Sequence, residues 1–94
     1  MSKPRTTAEI LEERGGEYGL FSEHAKITQG LKVTVRSWDG WARMLPCHRE
    51  AIEMILHKIG RILNGNPMNR DSWADIAGYA ELVVREIDAK QKSE

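Results

Sequence analysis

Glu50 and Glu53 stand three residues apart in the stretch HREAIEMILHKIGRILNGN, and His57 and Arg61 follow at helical spacing. A helix advances about 100° per residue, so Glu50, Glu53 and His57 fall within a sector of roughly 60°. Two carboxylates so placed can share one divalent cation. Mg²⁺ takes oxygen ligands, and a few carboxylates with water and substrate phosphates usually hold it. A second acidic pair, Asp71 and Asp75, lies downstream in RDSWADIAGYAELVVREIDAK, four residues apart on one helix face. The same residues also have a plain structural reading. Glu50 suits the first turn of a helix through the dipole, Glu53 and His57 suit a solvated i,i+4 pair, and Asp71 suits an N-cap. His24 and His57 lack an HxxxH or HExxH pattern, so they read as hydrogen-bonded structural residues rather than metal ligands.

The elements that must position these groups are helical. Ile52, Ile55, Leu56, Ile59, Ile62 and Leu63 form a stripe that predicts a helix over 47–63, with Pro46 in its first turn and NGNP as its stop. Trp73, Ile76, Ala77, Ala80, Val83, Val84 and Ile87 predict a second long helix over 71–89, packed antiparallel on the first. Opposite that stripe sit Asp75, Gly78, Tyr79 and Leu82, so both faces of this helix are expected to be covered. Upstream, Thr6 and Glu9 have capping-box spacing, and Gly15-Gly16 is the expected stop of a short first helix. A helix starting near Ser22 is expected to run to about residue 35, although LKVTV alternates like a strand. Trp38, Trp41, Met44 and Leu45 are expected in the core. The whole is an all-α bundle of four to five helices in one domain over 1–94, with 1–5 and 90–94 frayed.

The 94 residues carry 14 basic and 14 acidic side chains, which argues against a dedicated nucleic-acid surface. The lone Cys47 rules out an internal disulfide and a CxxC metal pair. No apolar run reaches the roughly 20 residues of a membrane span, and the N-terminus MSKPRTTAEI has no apolar signal core. A soluble cytoplasmic protein is expected. So small a domain gains from self-association, and a homo-oligomer, a dimer or a dimer of dimers, is expected.

The stretch HREAIEMILHKIGRILNGNPMNRDSWADIAGYAELVV resembles short phage and prophage proteins of uncharacterised role. These end in a helix reading like DSWxDIAGYA and often carry an element like ERGGEYGLFSEHAKITQ. The set in turn is similar to the all-α nucleoside triphosphate pyrophosphohydrolases of the MazG and dimeric dUTPase type. In those, ExxE on one helix and ExxD on the next bind Mg²⁺ for attack of water on a nucleotide phosphate. Glu50 and Glu53 match the first half and Asp75 matches the last position. Ser72 stands where the remaining glutamate is expected, with Asp71 beside it, and Arg49 stands where a further glutamate is usual.

The resemblance implies metal ligands Glu50, Glu53, Asp71 and Asp75, with Glu53 or Glu50 as ligand or base. Lys58, Arg61 and Arg70 would meet phosphate oxygens. Tyr18, Phe21, Trp38 or Trp41 would stack on a base, with Tyr79 and His24 as further ligand contacts. Three functions compete: an Mg²⁺-dependent nucleotide pyrophosphohydrolase, a binder that sequesters a nucleotide or nucleotide-derived signal without cutting it, and an anti-defence protein that binds a host protein. All three imply the cytoplasm of a bacterial host.

Overall fold

The computed structural model describes residues 4–93. Five helices follow in order: α1 Thr7–Tyr18, α2 Phe21–Arg36, α3 Asp39–Ala42, α4 Pro46–Asn64 and α5 Arg70–Ser93. No strand occurs among the described residues, and LKVTV lies inside α2. The fold is a small all-α bundle. No helix of the described residues is long and apolar enough to cross a membrane.

α4 is the central element and packs against α1, α2 and α5. It starts at Pro46, where the fixed φ and missing N–H of proline cost nothing. Ala51, Leu56 and Gly60 are its buried residues. Ile52, Ile55, Ile59 and Ile62 are half-buried, whereas Leu63 is exposed. α2 presents His24 and Thr28 to the interior, with Leu31 and Val35 half-buried on the same stripe. α2 and α4 approach closely at Gly60, where a Cβ would lie 2.4 Å from Thr28 Oγ1.

Three local expectations change. Thr6 Oγ1 does accept from the Glu9 amide at 3.1 Å, but α1 runs through Gly15-Gly16 and ends at Gly19. Gly19 alone takes a positive φ, 77°, and a Cβ there would strike the Asn64 carbonyl, so the stop is set by a close approach as well as by the turn. The cap of α5 is Asn69, whose Oδ1 accepts from the Ser72 amide at 3.2 Å; Asp71 is an exposed first-turn residue. α5 also continues through 90–93, past the expected fraying point; residues 1–3 and 94 of the expected frayed ends lie outside the described residues.

The expected core is also thinner. Trp38 is 73% exposed and Leu45 40%, while Trp41 and Met44 are half-buried. Ala51 and Leu56 are the buried hydrophobic residues among those described. The molecule measures 54 × 35 × 22 Å, and α5 is a rod rising about 1.5 Å per residue that α4 covers on one side.

Candidate functional site: a cationic groove between α1, α2 and α4

The expected carboxylate cluster resolves into separate pairs. Glu53 accepts from Arg36 Nε of α2 at 3.0 Å, and Arg36 Nη2 closes a second contact to the same oxygen. Asp75 of α5 accepts from Lys58 Nζ of α4 at 2.7 Å, with the Lys58 side chain only 12% exposed. Glu50 is exposed and borders a different groove, with Cys47, Tyr79 and Val83. Asp71 and Arg70 sit exposed at the start of α5. Among the described residues no three of His, Cys, Asp and Glu gather as a metal-binding group. Arg36 and Lys58 supply Glu53 and Asp75 with the positive charge expected from Mg²⁺. The residues of one chain therefore do not fit the expected metal centre. Arg49 donates through Nε to the Trp41 carbonyl at 3.1 Å and through Nη2 to that of Ala42 at 3.0 Å, so it closes the end of α3.

Three of the expected ligand-binding residues do come together. Tyr18, His24 and Arg61 line a groove of about 460 Å³ with Arg14, Leu20 and Phe21. The Arg61 guanidinium lies 4.4 Å from the centre of the Tyr18 ring. Phe21 is 80% exposed at the rim. Among the described residues no acidic side chain lines the groove. Neither Arg14 nor Arg61 has a carboxylate partner among the described residues. The N-terminus of α2 opens here at Leu20 and Phe21, and no side chain caps it, so its free amides add to the positive potential.

Asparagines at the end of α4 and on the α4–α5 connection tie down the corner between α1 and α2. Asn64 Nδ2 donates to the carbonyls of Tyr18 at 2.9 Å and Leu20 at 3.0 Å. The Asn66 amide donates to the Glu17 carbonyl at 2.7 Å, and Asn69 Nδ2 to the Glu17 carboxylate at 2.8 Å. NGNP is the expected stop of α4 and NGNPMNR the expected turn between the two long helices, and the segment also binds the end of α1. The density of side-chain amides in it was the available sign that it binds another part of the chain.

A family model described as a domain of unknown function, DUF6378, matches residues 5–87. The chain belongs to that family. No curated protein and no solved structure matches it. The matched span of DUF6378 contains every residue of the groove and of the asparagine brace.

At the floor of the DUF6378 groove, His24 is 7% exposed. Its Nε2 lies 3.4 Å from His57 Nδ1 and 3.4 Å from Thr28 Oγ1. Its Nδ1 is buried with no hydrogen bond of ordinary geometry, although the Gly60 backbone beside it favours the protonated ring. Burial lowers the His24 pKa, and the Arg61 and Lys32 charges lower it further. Burial also pulls His57 down to about 4, with His24, Arg61, Lys58 and Lys32 acting in the same direction. Both rings are thus neutral near pH 7, kept so first by burial and then by the cationic field around them.

Proposed function

We propose that this protein binds a small anionic ligand with an aromatic part, of the nucleotide class, in the groove between α1, α2 and α4, and holds it without hydrolysing it. The observation that carries the reading is the pairing, in one cavity with no carboxylate among the described residues that line it, of two guanidinia, Arg14 and Arg61, with two aromatic rings, Tyr18 and Phe21. Guanidinium groups match phosphate oxygens through paired N–H donors. Tyr18 and Phe21 offer faces on which a base can stack, which is worth about 1–3 kcal/mol per base where measured in nucleic-acid binders. The side-chain partners of Glu53 and Asp75 favour holding over hydrolysis, because these carboxylates are already neutralised by Arg36 and Lys58.

The test is a thermal-shift and calorimetric screen of mononucleotides and dinucleotides, cyclic ones included, with and without Mg²⁺. A ligand at a hundred times its Kd stabilises the fold by about 2.7 kcal/mol. Arg61→Ala and Arg14→Ala should each abolish the shift, and Glu53→Gln should keep it. Equal binding by the two arginine variants removes the groove from consideration. Release of pyrophosphate or a monophosphate in the presence of Mg²⁺ replaces the holding reading by the hydrolytic one.

A further inference from the structure

α5 has two apolar stripes, and the chain covers only one. Ser72, Ile76, Tyr79 and Val83 are buried or half-buried on the side packed against α4. The stripe beside them, Trp73, Ala77, Ala80, Val84 and Ile87, is exposed, with Trp73 at 54%, Val84 at 48% and Ile87 at 41%. Steps of four, three, four and three residues keep these five side chains on one line of a helix, as in the seam between two paired helices. Ala77 and Ala80 at its middle allow another backbone close. The Trp73 indole N–H already donates to the Pro67 carbonyl at 2.8 Å, so covering the ring strands no donor.

The surface of the whole chain says how much remains to be covered. The chain exposes 7306 Å². A compact monomer of 10.7 kDa exposes about 5,500 Å². The excess, about 1,800 Å², is above the roughly 800 Å² per partner of a standard interface and within the range of obligate dimers. The radius of gyration, 16.6 Å, likewise exceeds the value of about 12 Å for a chain this long.

We propose that a second copy of this chain covers the Trp73–Ile87 stripe, with the two α5 helices antiparallel across a two-fold axis at Ala80. Antiparallel pairing sets Trp73 against the partner's Ile87 and places Ala80 against the partner's Ala80, so large meets large at the ends and small meets small at the centre. It also opposes the helix dipoles, whereas parallel pairing aligns them. The contact is isologous and closes as a dimer.

The experiment is sedimentation of the full chain over a wide concentration range. The expected mass is twice the 10.7 kDa of one chain. Ala80→Arg puts a guanidinium on the axis at a position exposed in the single chain, and should return the mass to that of one chain with an unchanged helical circular dichroism spectrum. A second measurement stands if that variant does not fold. In a Cys47→Ser background, Ala80→Cys should cross-link to a covalent dimer under mild oxidation, and Gly78→Cys, on another face of α5, should not. A wild-type chain that stays monomeric at every concentration overturns the proposal. So does an Ala80→Arg variant that keeps the dimer mass, or equal cross-linking from the two cysteine positions.

Discussion

The imidazole of His24 meets that of His57 edge-to-face across the α2–α4 contact, with ring centres 4.6 Å apart. The pair joins the two helices behind the groove, and Lys32, Lys58 and Arg61 surround it with positive charge. A proton on either ring would be added against both burial and these neighbours. The ordinary pKa is 6.5, and that of His57 in the fold is about 4. Between those values the unfolded chain binds more protons than the folded one, so stability rises with pH there. The contribution is complete above pH 6.5 and is lost as pH falls toward 4. Thermal unfolding midpoints should therefore drop across this window, by about 4–8 °C for each kcal/mol lost. His57→Phe should flatten the dependence. An equal slope in that variant would place the acid sensitivity elsewhere.

Gly60→Ala should destabilise the fold by about 1–3 kcal/mol, the usual cost of overpacking. The new methyl would sit 2.4 Å from Thr28 Oγ1 and 3.1 Å from His24 Cε1. Gly30→Ala is the contrasting change. It lies in α2 with nothing within 4 Å of a built Cβ, and should stabilise by about 0.5–1 kcal/mol through helix propensity. Urea denaturation of the two variants should move in opposite directions.

Asp75→Asn should cost about 1–3 kcal/mol, because it leaves the largely buried Lys58 ammonium without its carboxylate. Adding Lys58→Met to that variant should recover part of the loss by removing the stranded charge while keeping the apolar stem. A double-mutant cycle reads the coupling directly. Strictly additive effects would mean that the pair contributes nothing to stability.

Asn64→Leu should weaken ligand binding without touching the ligand. It removes two hydrogen bonds, to the carbonyls of Tyr18 and Leu20, that fix the α1–α2 corner. Each such bond contributes about 1 kcal/mol, so a tenfold or greater rise in Kd is expected for whatever nucleotide the screen selects, at about 1.4 kcal/mol per tenfold. Calorimetry on Asn64→Leu beside Arg61→Ala separates the two roles. The first should retain weakened binding and the second should lose it.

Helix identity was legible from short-range chemistry. Pro46 at the start of α4, the Thr6–Glu9 cap of α1 and the apolar spacing of α4 and α5 act within a few residues, and the helices appear where those signals stand. The same local logic made LKVTV helical, since a lone strand has no backbone partner to pair with. The local signals failed where a distant group decides. Gly19 rather than Gly15-Gly16 ends α1 because Asn64 lies against it.

A helix wheel ranks faces by apolarity, but packing chooses the face that meets a neighbour. It therefore favoured Trp73, Ile76, Ala77, Ala80, Val83, Val84 and Ile87, while α4 covers only Ile76 and Val83 of these, with Ser72 and Tyr79 beside them. The carboxylates show the same division. Their types and spacing were readable as a candidate cation site, and only the fold decided that Arg36 and Lys58, brought in from α2 and α4, would be their partners. Tyr18, His24 and Arg61 were readable as single residues with useful chemistry. Their meeting with Arg14 and Phe21 in one groove depends on the turn at Gly19 and on hydrogen bonds from Asn64. Charge and hydrogen-bond partners are set by distance in space, and local sequence spacing reports that distance only within a turn or two of helix.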